Sequence, residues 1–295
     1  MSLTGLVYTI ILNWNGWQDT IECVDSCRKL TYSNFKIIII DNDSTDGSEV
    51  ILRERFPDIE LIQAGSNLGF SGGNNIGIRY ALERGAEYIW LLNNDTVVAR
   101  ESLSELVKVV VSDDRIGIVG SKLYYRTEPN TIAFAGGFWK DKPLDPSERG
   151  VNEIDSGQYD SVDDVDFITG CSMLIRTTIL KDIGEMPTDF FLYWEDIDWN
   201  ASASESGWRI VFVYASCVWH KVSASTNNQQ GMKTYYNVRN RLLFLKRHRR
   251  NLLFIAILRT VVVCLKYLLS GQKKTALLYF NGLKDFAIGR FGRMS

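Results

Sequence analysis

The sequence predicts an α/β protein: a doubly wound, mostly parallel sheet followed by a C-terminal helical extension. Three observations predict it. First, two apolar runs stop at clusters of Asp and Asn: Ile37-Ile38-Ile39-Ile40 meets Asp41-Asn42-Asp43-Ser44-Thr45-Asp46-Gly47, and Tyr88-Ile89-Trp90-Leu91-Leu92 meets Asn93-Asn94-Asp95-Thr96. Continuous apolar runs bounded by turn residues read as strands buried on both faces of a parallel sheet. Second, strand-like and helix-like segments alternate through the N-terminal half, the rhythm of βαβ units. Third, from Ser206 to Lys284 there is no Asp or Glu, and that region ends in a strongly apolar, basic tail.

The elements follow in order. Val7 to Leu12 is the first strand and Thr20 to Leu30 a helix. Phe35 to Ile40 is the second strand, and Gly47 to Arg55 a helix capped near Ser44 or Asp46. Ile59 to Gln63 is a short strand, Asn74 to Arg84 a helix, Tyr88 to Leu92 a strand, Ser102 to Ser112 a helix and Ile116 to Gly120 a strand. The pattern then changes. Asp141 to Asp164 reads as an acidic loop. Short strands are expected at Asp166 to Thr169 and Ser172 to Arg176, and a helix near Thr178 to Ile183. An acidic segment, Tyr193 to Trp199, starts a helix that Gly207 ends, and Ile210 to Val213 is a late strand. The tail is helical from about Met232. The expected division is 1–240 for the α/β domain, in halves of about 1–120 and 121–240, with 241–295 as the basic, apolar extension.

The 295 residues carry a net charge of −2, which hides an asymmetry. Residues 1–205 hold 34 acidic and 17 basic groups, whereas 206–295 hold 1 acidic and 16 basic. A block of that kind faces something anionic: nucleic acid, an acidic membrane or the chain's own acidic half. No nucleic-acid recognition module is present, so no nucleic-acid partner is expected. Within Leu252 to Leu269, Arg259 and Lys266 fall on one helical face together with Lys273. A membrane span needs about 20 apolar residues and tolerates mid-helix charge poorly. The expectation is therefore a helix lying on the membrane surface, with packing on its own domain or on a homodimer partner as the alternative and a full span as the least favoured reading. Met1 to Leu6 has no basic region, so no signal peptide is expected. The five scattered cysteines (Cys23, Cys27, Cys171, Cys217, Cys264) read as reduced thiols.

In open α/β sheets ligands bind outside the carboxyl ends of strands, where these carboxylates sit. Asp95 can bridge a divalent cation to a diphosphate, with Asn93 and Asn94 ligating or touching ribose. An Asx-rich turn is the alternative. Asp41, Asn42 and Asp43 can accept from a pyrimidine N3–H and from ribose hydroxyls, or simply form the turn. Asn67-Leu68-Gly69-Phe70-Ser71-Gly72-Gly73-Asn74 is a glycine loop entering a helix, where backbone can approach an anion. It lacks the Lys of a P-loop. Glu195-Asp196-Ile197-Asp198 opens a helix behind Phe190-Phe191-Leu192-Tyr193-Trp194. A carboxylate walled by aromatics suits a general base, and dipole decoration is the alternative. His220 could complete a metal site with Asp95. Arg239, beside Tyr235 and Tyr236, could offset diphosphate charge.

In order, these segments resemble the family 2 inverting glycosyltransferases with a GT-A fold, and within them rhamnosyltransferase-like members. The resemblance rests on Ile11 to Gly16, Ile40 to Ser48, Asn67 to Gly77, Leu91 to Thr96, Thr169-Gly170-Cys171, Phe190 to Asp198, Trp219-His220 and Tyr235 to Asn240. It implies transfer of a sugar from a nucleotide-diphosphate donor, first of all dTDP-L-rhamnose, to a hydroxyl of a glycan or polyprenyl-linked glycan acceptor in surface polysaccharide synthesis. It places Asn13, Asp41 to Asp43, Asn67, Gly72, Asn74, Asn94 and Arg239 at the donor nucleotide, and Asp95 and His220 at Mg2+ or Mn2+. Asn93 stands where the family's Asp-x-Asp motif has Asp, which puts its ligation in doubt. Asp196 becomes the general base, and Trp194, Glu195 and Gly170 face the acceptor. An Arg that relatives often carry after Trp199 is replaced here by Ala201-Ser202-Ala203-Ser204. The implied location is cytoplasmic, peripheral on the inner face of the cell membrane. The alternatives are a silent membrane-bound nucleotide-sugar or glycan-binding protein and a sugar-nucleotide pyrophosphorylase. The latter's basic glycine-rich N-terminal loop is missing at Asn13 to Trp17.

Overall fold

The computed structural model describes residues 4–139, 144–221 and 227–294. The N-terminal part runs β1 (Val7–Asn13), α1 (Trp17–Cys27), β2 (Phe35–Asp41), α2 (Ser48–Arg55), β3 (Glu60–Gln63), α3 (Gly69–Glu83), β4 (Tyr88–Asn93), β5 (Thr96–Val98), α4 (Ser102–Val110) and β6 (Ile116–Tyr125). It continues with β7 (Thr131–Phe134), β8 (Gly137–Phe138), β9 (Ser147–Glu148), β10 (Glu153–Ile154), β11 (Val162–Asp164), β12 (Ser172–Arg176), α5 (Leu180–Ile183), α6 (Glu195–Glu205) and β13 (Arg209–His220). Three helices close the described chain: α7 (Asn227–His248), α8 (Arg250–Leu269) and α9 (Lys273–Ala287).

The parallel half has the order β4-β1-β2-β3, so the chain crosses over between β3 and β4. Its strands are apolar on both faces because helices cover both. Ile10, Ile11, Ile38, Ile39, Leu91 and Trp90 are all fully buried. α4 shows why helices form beside them: Leu103, Leu106, Val107 and Val110 recur at helical spacing and are the apolar side chains it buries. The asparagines and aspartates fall at the carboxyl ends of β1, β2 and β4, on one edge of the sheet.

The other half is mixed. β12 runs antiparallel between β4 and β6, and β13 runs parallel to β6. β13 is longer than the sequence indicated. A register shift between Val213 and Cys217 lets it leave the β11 pairing and reach β5 as well. The expected strand at Asp166 to Thr169 is absent. Only Phe167 bridges, to Gly137, and Ile168 is instead held by Asn200, which both donates to and accepts from its backbone. Three short strands, β9 to β11, occupy the described part of the expected acidic loop. Positions 141–143 lie outside the described residues.

α7 runs unbroken through the expected boundary at 240/241. Its buried face packs Leu242 and Phe244 with Phe190 and Trp194, and Tyr236 stacks on Phe191. α8 and α9 pack on α7 and on each other. Ala256 and Thr260 are the side chains α8 buries.

Candidate active site

Strand register assembles the site from distant residues. His220 pairs with Thr96 across β13 and β5, and Lys221 N–H donates to the Asp95 carbonyl at 2.9 Å. That pairing brings His220 Nε2 to 3.1 Å from Asp95 Oδ1. Ser172 pairs with Leu92 and the Asn93 N–H donates to the Cys171 carbonyl, which sets Gly170 and Cys171 against the end of β4. Burial alone would push the His220 imidazole down in pKa. The adjacent Cys171 sulfur and the Asp95 carboxylate overcome it and raise it.

Two adjoining cavities open here. The larger, about 620 Å3, has Asn42, Asn67, Asn94, Asp95, Lys233 and Arg293 among its walls. The second, about 470 Å3, is walled by Glu148, Gly170, Trp194, Glu195, Asp196 and His220, with several aromatics. Phe70, Asn93, Leu192, Tyr193 and Lys233 belong to both, so the two cavities share a wall.

A loop in unusual backbone geometry separates them. Phe191, Tyr193 and Trp194 have φ of 64°, 66° and 78°. Side chains rarely adopt such values, which cost about 1–3 kcal/mol each and persist only where surroundings over-determine them. The surroundings here are buried donors. Asn240 Nδ2 donates to the carbonyls of Phe190, Leu192 and Tyr193, and Arg239 to those of Asp189 and Phe190. Phe70 N–H donates to the Phe191 carbonyl at 2.8 Å. Gly69 (φ 72°) permits that approach, since a Cβ there would lie 2.2 Å from the same oxygen.

The loop delivers the first turn of α6. Asp196 Oδ2 accepts from Gly170 N–H at 2.9 Å and Oδ1 from Ile197 N–H at 2.8 Å. Burial raises its pKa against the opposing pull of these amides. Trp194 Nε1 donates to Asn237, which fixes the indole over Phe244.

Several expected donor residues do not reach the cleft. Arg239 is the clearest correction. It is fully buried and lines neither cavity, and its donors go to the carbonyls of Asp189, Phe190 and Gly292, to Asn240 and to Tyr235. Among the described residues, the lysine and arginine that line the cleft are Lys233 and Arg293, which sequence reasoning missed. Asn13 and Asp41 are likewise buried and bonded to each other at 2.7 Å. Asp41 also accepts from Ser44 and Gln63, which leaves it a scaffold for the turn. Gly72 packs on Leu68, and Asn74 donates to the Phe70 carbonyl. Asp43 is exposed at φ 63° and lies outside the lining. Asn42, Asn67, Asn94, Asn93, Asp95, His220, Trp194, Glu195, Asp196 and Gly170 do line the cavities.

Asp95 and His220 could hold a divalent cation, with Asn93 beside them. Among the described residues no group of three His, Cys, Asp or Glu side chains could hold a metal on its own. Oxygen and imidazole ligands with the remaining positions left to phosphate and water suit Mg2+ or Mn2+.

Residues 8–184 match the family Glycosyl transferase family 2. The chain belongs to that family. It is 26% identical over 266 residues to the low-salt glycan biosynthesis hexosyltransferase Agl10 of Haloferax volcanii, covering 88% of this chain and 81% of that one. It is 26% identical over 221 residues to the N-acetylglucosaminyl-diphospho-decaprenol L-rhamnosyltransferase of Mycobacterium tuberculosis, covering 64% and 67%. The mannosyltransferase PcManGT of Pyrobaculum calidifontis, solved with GDP-Man and Mn2+, superposes with a TM-score of 0.60 at 15% identity over 97% of this chain and 87% of that one. The fold of this glycosyltransferase is thus GT-A, with C-terminal helices added.

Proposed function

We propose that this glycosyltransferase moves a hexosyl group, first of all L-rhamnose from dTDP-rhamnose, onto a hydroxyl of a lipid-linked glycan, with inversion. The observation that carries the reading is the adjacency of the two cavities. Asp196, held by two amides, faces the second cavity, while Asp95 and His220 meet where the two join. A donor in the larger cavity and an acceptor in the smaller would place the attacking hydroxyl between Asp196 and the anomeric carbon. Asp196 takes the hydroxyl proton as the oxygen attacks in line and the diphosphate leaves. Asp95 and His220 would hold a divalent cation, which supplies Lewis-acid neutralisation of diphosphate charge. Lys233 and Arg293 add positive charge at the cleft wall. The named activity of the mycobacterial relative supports rhamnose and a polyprenyl diphosphate acceptor.

The location we propose is the cytoplasmic face of the membrane, with α8 and α9 lying on an anionic bilayer. The outer face of α8 presents Phe254, Ile255, Leu258, Val261, Val262, Leu265, Leu268 and Leu269, all exposed and at helical spacing. Leu277 and Phe280 continue it on α9, and Lys266, Lys273, Lys274 and Lys284 flank it. Apolar side chains bordered by lysine complement acyl chains below anionic headgroups. A second copy of the same basic face would instead repel. Arg259 pairs with Asp145, which ties α8 to the catalytic domain.

Calorimetric titration with dTDP-rhamnose, UDP-glucose, UDP-galactose and GDP-mannose, with Mn2+ and with chelator, tests the donor. Metal-dependent binding of dTDP-rhamnose is expected. Binding of a different donor would reassign the sugar. Binding of none, with or without lipid vesicles, would overturn the transfer reading.

A further inference from the structure

α6 carries Asp196 in its first turn and contains no lysine or arginine, the stretch after Trp199 being Asn200-Ala201-Ser202-Ala203-Ser204. The charge of its buried Asp198 is therefore met from another element, and the last two residues of α7 meet it. Arg247 Nη1 donates to Asp198 Oδ2 at 3.2 Å, and Arg247 Nη2 donates to Asp189 just before the strained loop. His248 Nε2 lies 3.1 Å from Asp198 Oδ1, and His248 Nδ1 lies 3.0 Å from Glu205 Oε1 at the far end of α6. The imidazole is 8% exposed and tilts against the Phe244 ring, with centroids 5.0 Å apart.

Hydrogen-bond accounting fixes the charge of that ring. A neutral imidazole has one donor nitrogen and one acceptor, whereas an ionised carboxylate only accepts. Between two carboxylates a neutral ring would set a lone pair against an oxygen. Arg247 keeps Asp198 ionised, and water keeps Glu205 so, its side chain being 58% exposed. The geometry calls for an imidazolium donating from both nitrogens. It sits on the last residue of α7, where the helix dipole favours a cation.

We propose that His248 is a positioning residue for sugar transfer: as a doubly donating imidazolium it staples α6 to α7 and so fixes the turn that presents Asp196. The inference rests on the reading of Asp196 as the base. Two ties between the helices bracket that residue. Trp194, two positions before it, donates to Asn237 of α7, and Asp198, two positions after it, is held by Arg247 and His248. Because His248 also reaches Glu205, one side chain secures both ends of α6.

The charged groups facing the ring are Asp198 and Glu205 from α6 and Arg247 from its own helix, with Asp189 behind Arg247. Arg249 lies instead over the Trp139 ring. Burial alone would lower the imidazole, but its bonds to Asp198 and Glu205 overcome that and raise it above the usual 6.5. The sign on stability follows. A histidine raised on folding contributes its full stability below the unfolded value of about 6.5 and loses it as pH climbs through the folded value. Turnover should fall over the same alkaline window, as the ring gives up one of its two donors.

The full chain is compared with Glu205→Gln, His248→Gln and Asp196→Asn. The chain has two histidines, so imidazole Cε1 resonances are followed by NMR from pH 5.5 to 9.5, and His220→Asn identifies the one that belongs to His248. Transfer is measured over the same range from dTDP-rhamnose, or from whichever nucleotide sugar of the panel binds. The His248 ring is expected to titrate above 6.5, with kcat falling in step. Glu205→Gln, which touches neither cavity, should move the ring titration and the alkaline limb of kcat downward together. His248→Gln should lower kcat by about 10- to 100-fold with donor affinity unchanged, and its Tm deficit should be largest at the acid end of the range and close toward pH 9.5. A ring that titrates below the usual value would overturn the inference. So would a kcat limb that stays in place in Glu205→Gln while the ring titration moves. Retained turnover in Asp196→Asn would instead remove the base, and a joint shift in Glu205→Gln would still leave His248 as the group that couples pH to the site.

Discussion

The larger cavity and the smaller one adjoin, but they are built by different rules. The larger takes one wall from strand ends and the start of α3, with Asn42 after β2, Asn67 before α3 and Asn93 to Asp95 at the end of β4, and the opposite wall from the strained loop, α7 and the segment after α9. The strand-end positions are fixed by sheet register, which many backbone hydrogen bonds share. The smaller cavity depends on one strained loop and the helix turn it delivers. Three residues in left-handed geometry are held there by side chains from α7, some 50 residues downstream. The difference teaches that the strand-end wall of the first is set by sheet register, while the strained loop, which borders both cavities, and the helix turn that carries Asp196 take their places only once α7 has docked. Damage to the strand-end wall should therefore be confined to binding, whereas damage to the loop should spread from stability to turnover.

The sharpest test of that division is Asp196→Asn. It should lower kcat by about 10^2–10^4-fold and leave donor affinity from calorimetry unchanged. Retained turnover would remove Asp196 from its role as base. Asp95→Ala strikes the other cavity. It should weaken metal-dependent donor binding by about 100-fold, with chelator producing the same loss in wild type. Equal affinity with and without Mn2+ would break the assignment.

Arg239→Met probes the tie between α7 and the loop. Removing charged donors from buried carbonyls should cost about 3 kcal/mol in urea unfolding, and transfer should fall with it. A normal unfolding midpoint accompanied by weak nucleotide-diphosphate binding would return Arg239 to the donor side. The smallest effect is expected farthest from both cavities. Leu258→Glu, Val262→Glu and Leu265→Glu together should reduce binding to anionic vesicles by about tenfold or more in co-sedimentation. If sedimentation velocity instead shows wild type as a dimer that these changes dissociate, the stripe is an interface between copies.

Much of the parallel half was legible in the sequence, because strands buried on both faces leave uninterrupted apolar runs and their helices recur at 3.6 residues. The ends of β4 and α6 were legible for a related reason: polar clusters against apolar runs mark where a sheet stops. The expected strand at Asp166 to Thr169 failed because alternation there serves a segment held by Asn200 rather than by a neighbouring strand. The full reach of β13 was missed because a register shift hides its second half from any simple period. Arg239 was misread for a different reason. An arginine beside two tyrosines looks the same in sequence whether it faces a phosphate or a row of carbonyls.

What the sequence determined by itself was the α/β class, the family, and the chemical character of Asp95, Asp196 and His220, because these follow from local patterning and from side-chain chemistry. Only the tertiary structure decided which of these groups meet. His220 reaches Asp95 through the pairing of β13 with β5, and Lys233 and Arg293, not Arg239, face the cleft because α7 turns one face inward and the segment after α9 folds back across it. It alone also separated Glu195 from Asp196. Two neighbouring acids of the same charge in sequence become different groups once packed: both Asp196 oxygens accept from backbone amides, whereas Glu195 has one oxygen, Oε2, buried without a hydrogen-bond partner among the described residues. The physical reason is that hydrogen-bond partners and burial are properties of packing, which no residue carries with it along the chain.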